Sequence, residues 1–326
     1  MTDSDPSTDT NTDTGTEPLT VDVTEEQLFK LLGNDIRMSV LQALWGTFEF
    51  EAYITQSREP VSFTDLRKRA EYDGSGNFGY HLEQLVDVLV ERHDEGYLLS
   101  PLGYNLMRAI DTYATFEYET IGETILDDPC PFCGGDLVGS YRREILEVVC
   151  RDCGGLNEGG NFTFVQLTST TTTGLDLDQL LDIGTLTLEQ RVNHARHGIC
   201  WECHSKPDRT VEVCETHERD EDGICEDCTL RYATKLAVDC TNCGTGGAGP
   251  LLEYAVLVPA VRDLFRRHGF GPHEVGPWRY RLAAFEAARE TVHSSDPPVV
   301  TYRFELGDDS VTVRIEQSDD IGITVE

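Results

Sequence analysis

Ten of the chain's eleven cysteines stand in five Cys-x-x-Cys pairs, and this spacing limits what the second half of the sequence can fold into. Two thiols separated by two residues share one tight turn, so both thiolates can hold the same ion. Cys130-Pro-Phe-Cys133 and Cys150-Arg-Asp-Cys153 are separated by sixteen residues, and Tyr141–Val149 between them has strand character. Four thiolates close a tetrahedral shell with no open position, which predicts a structural zinc at Cys130, Cys133, Cys150 and Cys153. A redox dithiol is the alternative, but two matched pairs at ribbon spacing favour the metal.

The second cysteine block needs counting. Cys200/Cys203, Cys225/Cys228 and Cys240/Cys243 give six ligands, which cannot fill two tetrahedral sites. Cys214-Glu-Thr-His217 has the same spacing as the pairs and raises the number to eight. Eleven cysteines and His217 then make twelve ligands, or three zinc ions per chain. The simplest grouping is sequential: Cys200, Cys203, Cys214 and His217 in one site, Cys225, Cys228, Cys240 and Cys243 in the other. An interleaved grouping remains open. His204 competes with His217 but adjoins Cys203, while His194 and His197 are expected on the surface of the preceding helix.

Net charge is −33, from 59 acidic against 26 basic residues, and only Lys30, Lys68, Lys206 and Lys235 are lysines. This composition resembles that of salt-accumulating halophiles, haloarchaea in particular. At about 1 M salt the Debye length is ~3 Å, so self-repulsion is screened and acidity need not exclude an anionic partner. No apolar run is long enough for a membrane span, and the N-terminus lacks a signal-peptide pattern. A soluble cytoplasmic protein is expected.

The expected fold class is α+β. Residues 1–20 read as a disordered acidic tail, 21–120 as a helical DNA-binding domain and 125–168 as the first zinc ribbon. The threonine run Thr168–Thr173 opens a helical linker over 169–198, with amphipathic segments at Leu175–Asp182 and Leu186–His197. A tandem zinc module over 199–246 leads through the glycine-rich Gly244–Pro250 to a small α+β domain at 250–326. That last part should hold a helix at Val258–His268 and strands at Val299–Leu306, Ser310–Glu316 and Gly322–Glu326. Trp278, Tyr280, Leu282 and Phe285 are read there as packing residues.

Apolar periodicity in the first 120 residues predicts helices at Glu25–Leu32 and Asp35–Trp45. Ser62-Phe63-Thr64-Asp65 resembles a capping box that starts another helix, with Glu71–Gly76 a turn after it. The next helix, about Asn77 to Val90, points Phe78, Leu82, Leu85 and Leu89 inward. Its other face carries Asn77, Tyr80, His81 and Gln84. Asp94-Glu95-Gly96 is a hairpin turn. Ser100-Pro101 starts a final helix, whose face of Leu102, Leu106, Met107, Ile110 and Tyr113 can pair with a second subunit.

This order, with Leu32-Gly33-Asn34-Asp35-Ile36-Arg37, Gly76-Asn77-Phe78-Gly79-Tyr80-His81-Leu82 and Asp94-Glu95-Gly96-Tyr97, resembles the ArsR-like winged helix-turn-helix family, in its haloarchaeal branch with zinc-ribbon-like C-terminal segments. The resemblance covers under a third of the chain. It implies a homodimer that places two recognition helices in successive major grooves of double-stranded DNA. Arg67, Lys68, Arg69 and Arg92 are the candidate phosphate contacts, and Asn77, Tyr80, His81 and Gln84 the candidate base contacts. The cysteines of metal-sensing members are missing from Ser62–Ala70, so derepression by that route is not implied.

A transcriptional regulator is thus the expected function, with the zinc modules sensing a signal or binding a partner. A winged helix that binds protein or only packs is the plainer reading. A basal factor contacting RNA polymerase is a further alternative, although Thr112–Asp128 is too short for the coiled coil such a factor needs. A zinc-dependent protein- or RNA-binding adaptor is another, supported by Tyr141, Arg142 and Arg143. Closed Cys₄ shells and the lack of a Ser/His/Asp, P-loop or Gly-x-Gly-x-x-Gly pattern predict no enzyme.

Overall fold

The computed structural model describes residues 23–54, 57–73, 75–113, 120–168, 172, 174–318 and 320–326. The expected tail at 1–20 and most of the threonine run lie outside them. The chain forms two compact units, Met1–Thr115 and Phe116–Glu326, of mixed helix and sheet.

In the first unit, α1 (Glu25–Leu32) and α2 (Asp35–Trp45) begin at Thr24 and Asn34, whose side chains accept from the backbone N–H groups of Gln27 and Arg37. A short α3 (Phe50–Ile54), not anticipated from the sequence, follows. It completes an aromatic cluster in which the Phe48 and Tyr53 rings lie 4.6 and 4.9 Å from that of Tyr104. Ser62 caps α4 (Phe63–Arg69), but the Asp65 carboxylate takes the Ser62 hydroxyl at 2.7 Å instead of reaching back to a backbone N–H.

The next helix, α5, spans Ser75–Leu85, so it starts earlier and ends earlier than the expected Asn77–Val90. Asp87 adopts φ 65°, a left-handed conformation that stops the helix. Leu89 still reaches the core, now from a turn, and packs with Val40, Leu41, Leu44, Leu66, Phe78, Leu82 and Leu85. β1 (Val90–His93) pairs antiparallel with β2 (Gly96–Leu99) around Asp94-Glu95.

α6 (Pro101–Tyr113) starts where the Ser100 hydroxyl accepts from the Gly103 N–H and donates to the Val88 carbonyl. Of its expected pairing face, Met107 is buried in this unit's own core. Leu106 and Ile110 pack partly against that core, and Leu102 is exposed.

Among its described residues the second unit contains three antiparallel sheets. β3 (Ile121–Pro129), β4 (Asp136–Arg142), β5 (Ile145–Cys150) and β6 (Asn161–Gln166) form a meander. Arg143 and Glu144, both with positive φ, make the two-residue turn that divides the expected Tyr141–Val149 strand between β4 and β5. α7 (Leu177–Arg196) is one helix where two segments were expected. Gly184, at the supposed break, lies so close to the sheet that a Cβ there would meet Leu146 at 2.6 Å. The glycine permits close packing and does not end the helix.

β7 (Asp208–Val213), β8 (Thr234–Asp239) and β9 (Gly246–Pro250) form the second sheet. The glycine-rich stretch read as a linker is therefore a strand, because ladder bonds need only backbone. Four helices, α8 (Leu252–Val256), α9 (Pro259–Arg267), α10 (Pro272–Val275) and α11 (Pro277–Ala287), lead to the third sheet. That sheet is β10 (Ala288–Ser295), β11 (Pro298–Leu306), β12 (Asp309–Gln317) and β13 (Ile321–Val325). Three of its strands match expectation, and β10 is additional.

One hydrophobic core runs through the unit, from Leu137 and Leu146 in the first sheet through Leu180, Leu236, Phe265 and Tyr280 to Tyr302 and Ile315 in the third. The segments expected as a ribbon, a linker, a tandem zinc module and a C-terminal domain share this core. Trp278, Tyr280, Leu282 and Phe285 are all buried in it, as packing residues. Among the described residues, no helix is long and apolar enough to cross a membrane.

Candidate metal centres and the exposed face of α5

The twelve predicted ligands come together in three groups whose ligand atoms all lie within 4.8 Å of one another. The first quartet is Cys130, Cys133, Cys150 and Cys153. The second is Cys200, Cys203, Cys240 and Cys243, and the third is Cys214, His217, Cys225 and Cys228. The second block is therefore interleaved, which corrects the sequential grouping. The reason is β7. Its six residues separate Cys203 from Cys214 by about 20 Å at ~3.3 Å per residue, far beyond the reach of one ion. Antiparallel pairing of β7 with β8, Asp208 opposite Asp239, instead brings Cys200–Cys203 beside Cys240–Cys243. The residues from Cys214 to Cys228 close on themselves at the other end of the hairpin.

Four of the turns carrying the ligands are built alike. The N–H groups of Gly134, His204, Thr229 and Gly244 donate to the carbonyls of Cys130, Cys200, Cys225 and Cys240, at 2.8–3.0 Å. All four donors have left-handed φ between 57° and 74°. His204 is thus a turn residue and not a ligand.

Sulfur–sulfur distances test the fit to a metal. Cys130–Cys153 and Cys133–Cys150 are 3.7 and 3.6 Å apart, and so are Cys200–Cys243 and Cys203–Cys240. A tetrahedron with ~2.3 Å zinc–sulfur bonds has edges of about 3.8 Å. A disulfide requires about 2.05 Å, so none of these pairs is bonded. The three groups can hold metal ions, and their geometry is consistent with zinc.

Surrounding donors prepare the thiolates. In the first quartet the N–H groups of Phe132, Gly135, Asp152 and Gly155 each point at a ligand sulfur at 3.4 Å. In the second, the Ser205 hydroxyl lies 3.0 Å from Cys203 Sγ and 3.2 Å from Cys240 Sγ, and Asn242 Nδ2 donates to Cys203. The Ser205 contact lowers both thiols below the ordinary cysteine range. Burial raises Cys130, Cys200 and Cys228, a desolvation that a dication would offset. In the third quartet His217 Nδ1 is 3.4 Å from Cys228 Sγ, while Nε2 meets the Arg231 carbonyl at 3.1 Å. A proton on Nε2 leaves the Nδ1 lone pair for an ion.

Arg231 is the residue that sequence reading missed. It is 8% exposed, with its guanidinium 4.1 Å over the Phe132 ring. It donates to the Gly155 carbonyl, to the Asp222 carbonyl at 2.9 Å and to Cys153 Sγ at 3.6 Å. An isolated arginine 78 residues from Cys153, the first-block thiol it meets, gives no sequence signal, and only the fold brings it there. Tyr141, by contrast, is buried and donates to the Leu167 carbonyl, so of the adaptor's expected surface only Arg142 and Arg143 are exposed.

In the first unit, α5 turns Phe78, Leu82 and Leu85 inward and leaves Asn77, Tyr80 and Gln84 exposed, Tyr80 at 60%. Asn77 Nδ2 donates to Tyr72 Oη at 3.1 Å. His81 is half-buried, with Nδ1 3.4 Å from Arg37 Nη1. Arg92 is ion-paired with Glu83, which raises its pKa. Arg67, Lys68 and Arg69 lie in the last turn of α4, where cations complement the helix dipole, and form no ion pair among the described residues.

A sequence profile for a domain of unknown function, DUF7347, matches residues 25–110, close to the bounds of the first unit's helices. No characterised protein and no solved structure matches the chain. A second profile spans residues 127–321, more than half of the chain and all three metal-ligand groups, and by this match the chain belongs to the family described as a domain of unknown function, DUF7351.

Proposed function

We propose that this protein is a DNA-binding transcriptional regulator, with a winged helix-turn-helix of the ArsR-like kind over residues 25–113 and three structural zinc ions in the second unit. The observation that carries the reading is α5. One face is fixed in the core by Phe78, Leu82 and Leu85, while Asn77, Tyr80 and Gln84 project from the other. α4 precedes it with Arg67, Lys68 and Arg69, and the β1–β2 hairpin follows directly, as recognition helix and wing. The working form is a homodimer on double-stranded DNA. His81 and Arg92 take a smaller part, being engaged by Arg37 and Glu83.

Zinc is the ion proposed because eleven thiolates and one imidazole form closed, tetrahedrally spaced sets without a position for substrate. These sites hold the fold together, and no catalysis is assigned to them. A polymerase-contacting factor with a long coiled coil after its winged helix is disfavoured, since Ile121–Pro129 is a strand.

Genome-wide DNA occupancy in the native host tests the proposal. Discrete promoter peaks that vanish in Asn77→Ala/Tyr80→Ala/Gln84→Ala, with protein level unchanged, are expected. Enrichment at every active promoter regardless of these changes would overturn it in favour of a polymerase-associated factor. Metal analysis of intact protein should give three zinc ions per chain, and well under three refutes the ligand sets.

A further inference from the structure

The first and third quartets come from segments far apart in sequence, yet they are stitched together. Gly154 N–H donates to the Asp222 carbonyl at 3.2 Å and Glu158 N–H to the Thr229 carbonyl at 2.9 Å. Arg231 N–H donates to the Leu156 carbonyl at 3.0 Å, and Asn157 bridges Leu230. The loop after Cys153 is thereby bonded along the segment that carries Cys225 and Cys228.

Arg231 makes the link specific. Its guanidinium donates to Cys153 Sγ, a ligand of the first quartet. Its carbonyl meets Nε2 of His217, a ligand of the third, and so fixes which ring nitrogen faces the ion. Gly223 leaves room for it: a Cβ there would stand 2.4 Å from Arg231 Nη1. Among the described residues the second quartet has no such tie, because the side chains donating to its sulfurs, Ser205 and Asn242, belong to its own two turns.

We propose that the first and third quartets load metal cooperatively, with Arg231 as the positioning residue that couples them. An ion in the first quartet orders Cys153 and with it the guanidinium. That holds the Arg231 carbonyl where it selects the Nδ1-binding form of His217. Coupling of this kind is reciprocal, so an ion in the third quartet strengthens the first by the same factor. The inference rests on the metal-binding reading above and goes beyond it, since three independent sites would satisfy that reading equally well.

The test uses cobalt(II) in the full chain in molar KCl, with Cys203→Ser/Cys243→Ser removing the second quartet. Cobalt absorbs differently in Cys₄ and Cys₃His shells, so the two remaining sites are read separately. Their bands should rise in step. Adding His217→Ala should weaken the Cys₄ band's loading about tenfold or more. Arg231→Met, which keeps every ligand, should separate the two midpoints by a similar factor. A Cys₄ midpoint unmoved by both changes overturns the coupling, while the lack of both bands overturns the metal reading itself. Should the blocked chain not fold, alkylation of the zinc-loaded, otherwise unaltered chain during chelation gives the answer peptide by peptide. Cys153 and Cys228 should be freed in step, and out of step in Arg231→Met. Rates that already differ tenfold in the unaltered chain refute the proposal.

Discussion

Arg281 offers the sharpest test of whether the second unit is one cooperative body. It is 4% exposed and joins three elements. Nε and Nη2 donate to Glu253 on α8 at 3.0 and 2.5 Å. Nη1 and Nη2 donate to Thr163 Oγ1 and the Phe162 carbonyl on β6, at 3.1 and 3.0 Å. Arg281→Met keeps an unbranched apolar stem but removes the guanidinium and orphans a carboxylate that is itself only 15% exposed. Removing one partner of a buried pair costs about 3–5 kcal/mol, against roughly 5–15 kcal/mol for a whole domain. Because Glu253 keeps some access to water, the lower end, about 3 kcal/mol, is expected. Denaturant unfolding in molar KCl, followed by tryptophan fluorescence in a Trp45→Phe background that leaves Trp201 and Trp278 of the second unit, measures it. The double variant Arg281→Met/Glu253→Met should return to within about 1 kcal/mol of the parent, since the remaining charge goes with it. A loss below about 1 kcal/mol in the single variant, or simple additivity in the double, would refute the view that this pair ties the first sheet to the helical layer.

Three other outcomes follow from the same geometry. Burial raises the pKa of Tyr232, Tyr254, Tyr280 and Tyr302 above the usual phenol value of 10. Their contribution is fully present below pH 10 and falls above it, by up to about 1.4 kcal/mol per pH unit for each tyrosine. The phenolate absorbance of these four should therefore appear together with unfolding of the second unit, after that of exposed tyrosines such as Tyr80, and complete ionisation of all twelve tyrosines near pH 10 without unfolding contradicts this. Chelation in molar KCl should abolish the second unit's unfolding transition in that background, because apparent zinc-binding energies of about 10–16 kcal/mol rival a domain's whole stability. A transition that survives complete metal removal argues against structural ions. Thr229 is a β-branched residue at φ 57°, so Thr229→Gly should gain about 0.5–1 kcal/mol. Gly134→Ala, at φ 74° in the matching turn, should lose about 1–2 kcal/mol by thermal unfolding, and equal effects of one sign would count against the shared turn geometry.

How far the sequence could be read depended on whether a feature was local. Caps at Ser62 and Ser100, the Asp94-Glu95 turn, the α5 stripe and all twelve metal ligands are set by residues within a few positions of one another. The grouping of those ligands was not legible, because it depends on the β7–β8 register, and strand pairing is a long-range property. The continuity of α7 through Gly184 was missed for a similar reason. A glycine in a helical pattern suggests a break, and the packing of Leu146 against α7 that requires it lies far away in sequence. Arg231 and Arg281 carry no local motif at all. The end of α5 was missed because Leu89 continues the helical spacing while reaching the core from a turn.

The charge of the chain shapes both proposals. At net −33, the chain would gain little in molar salt from exposed pairs such as Lys30–Glu26. What holds the second unit together instead is screened from salt: the single core, Arg281–Glu253, and ligand sets closed by hydrogen bonds. DNA binding faces the same limit, since each phosphate contact loses strength as counterion release weakens. Of the four basic residues expected at phosphates, Arg92 is engaged by Glu83, leaving Arg67, Lys68 and Arg69. With at most three phosphates neutralised per protomer, log K should fall with log salt at a slope no steeper than about −2.7 per half-site. Binding of a promoter fragment at a series of KCl concentrations measures that slope. For the dimer on a whole site the limit is about −5.4, so a slope of about −8 or steeper would mean that the backbone is gripped by residues other than these, and α5 would no longer be the main reader of the DNA.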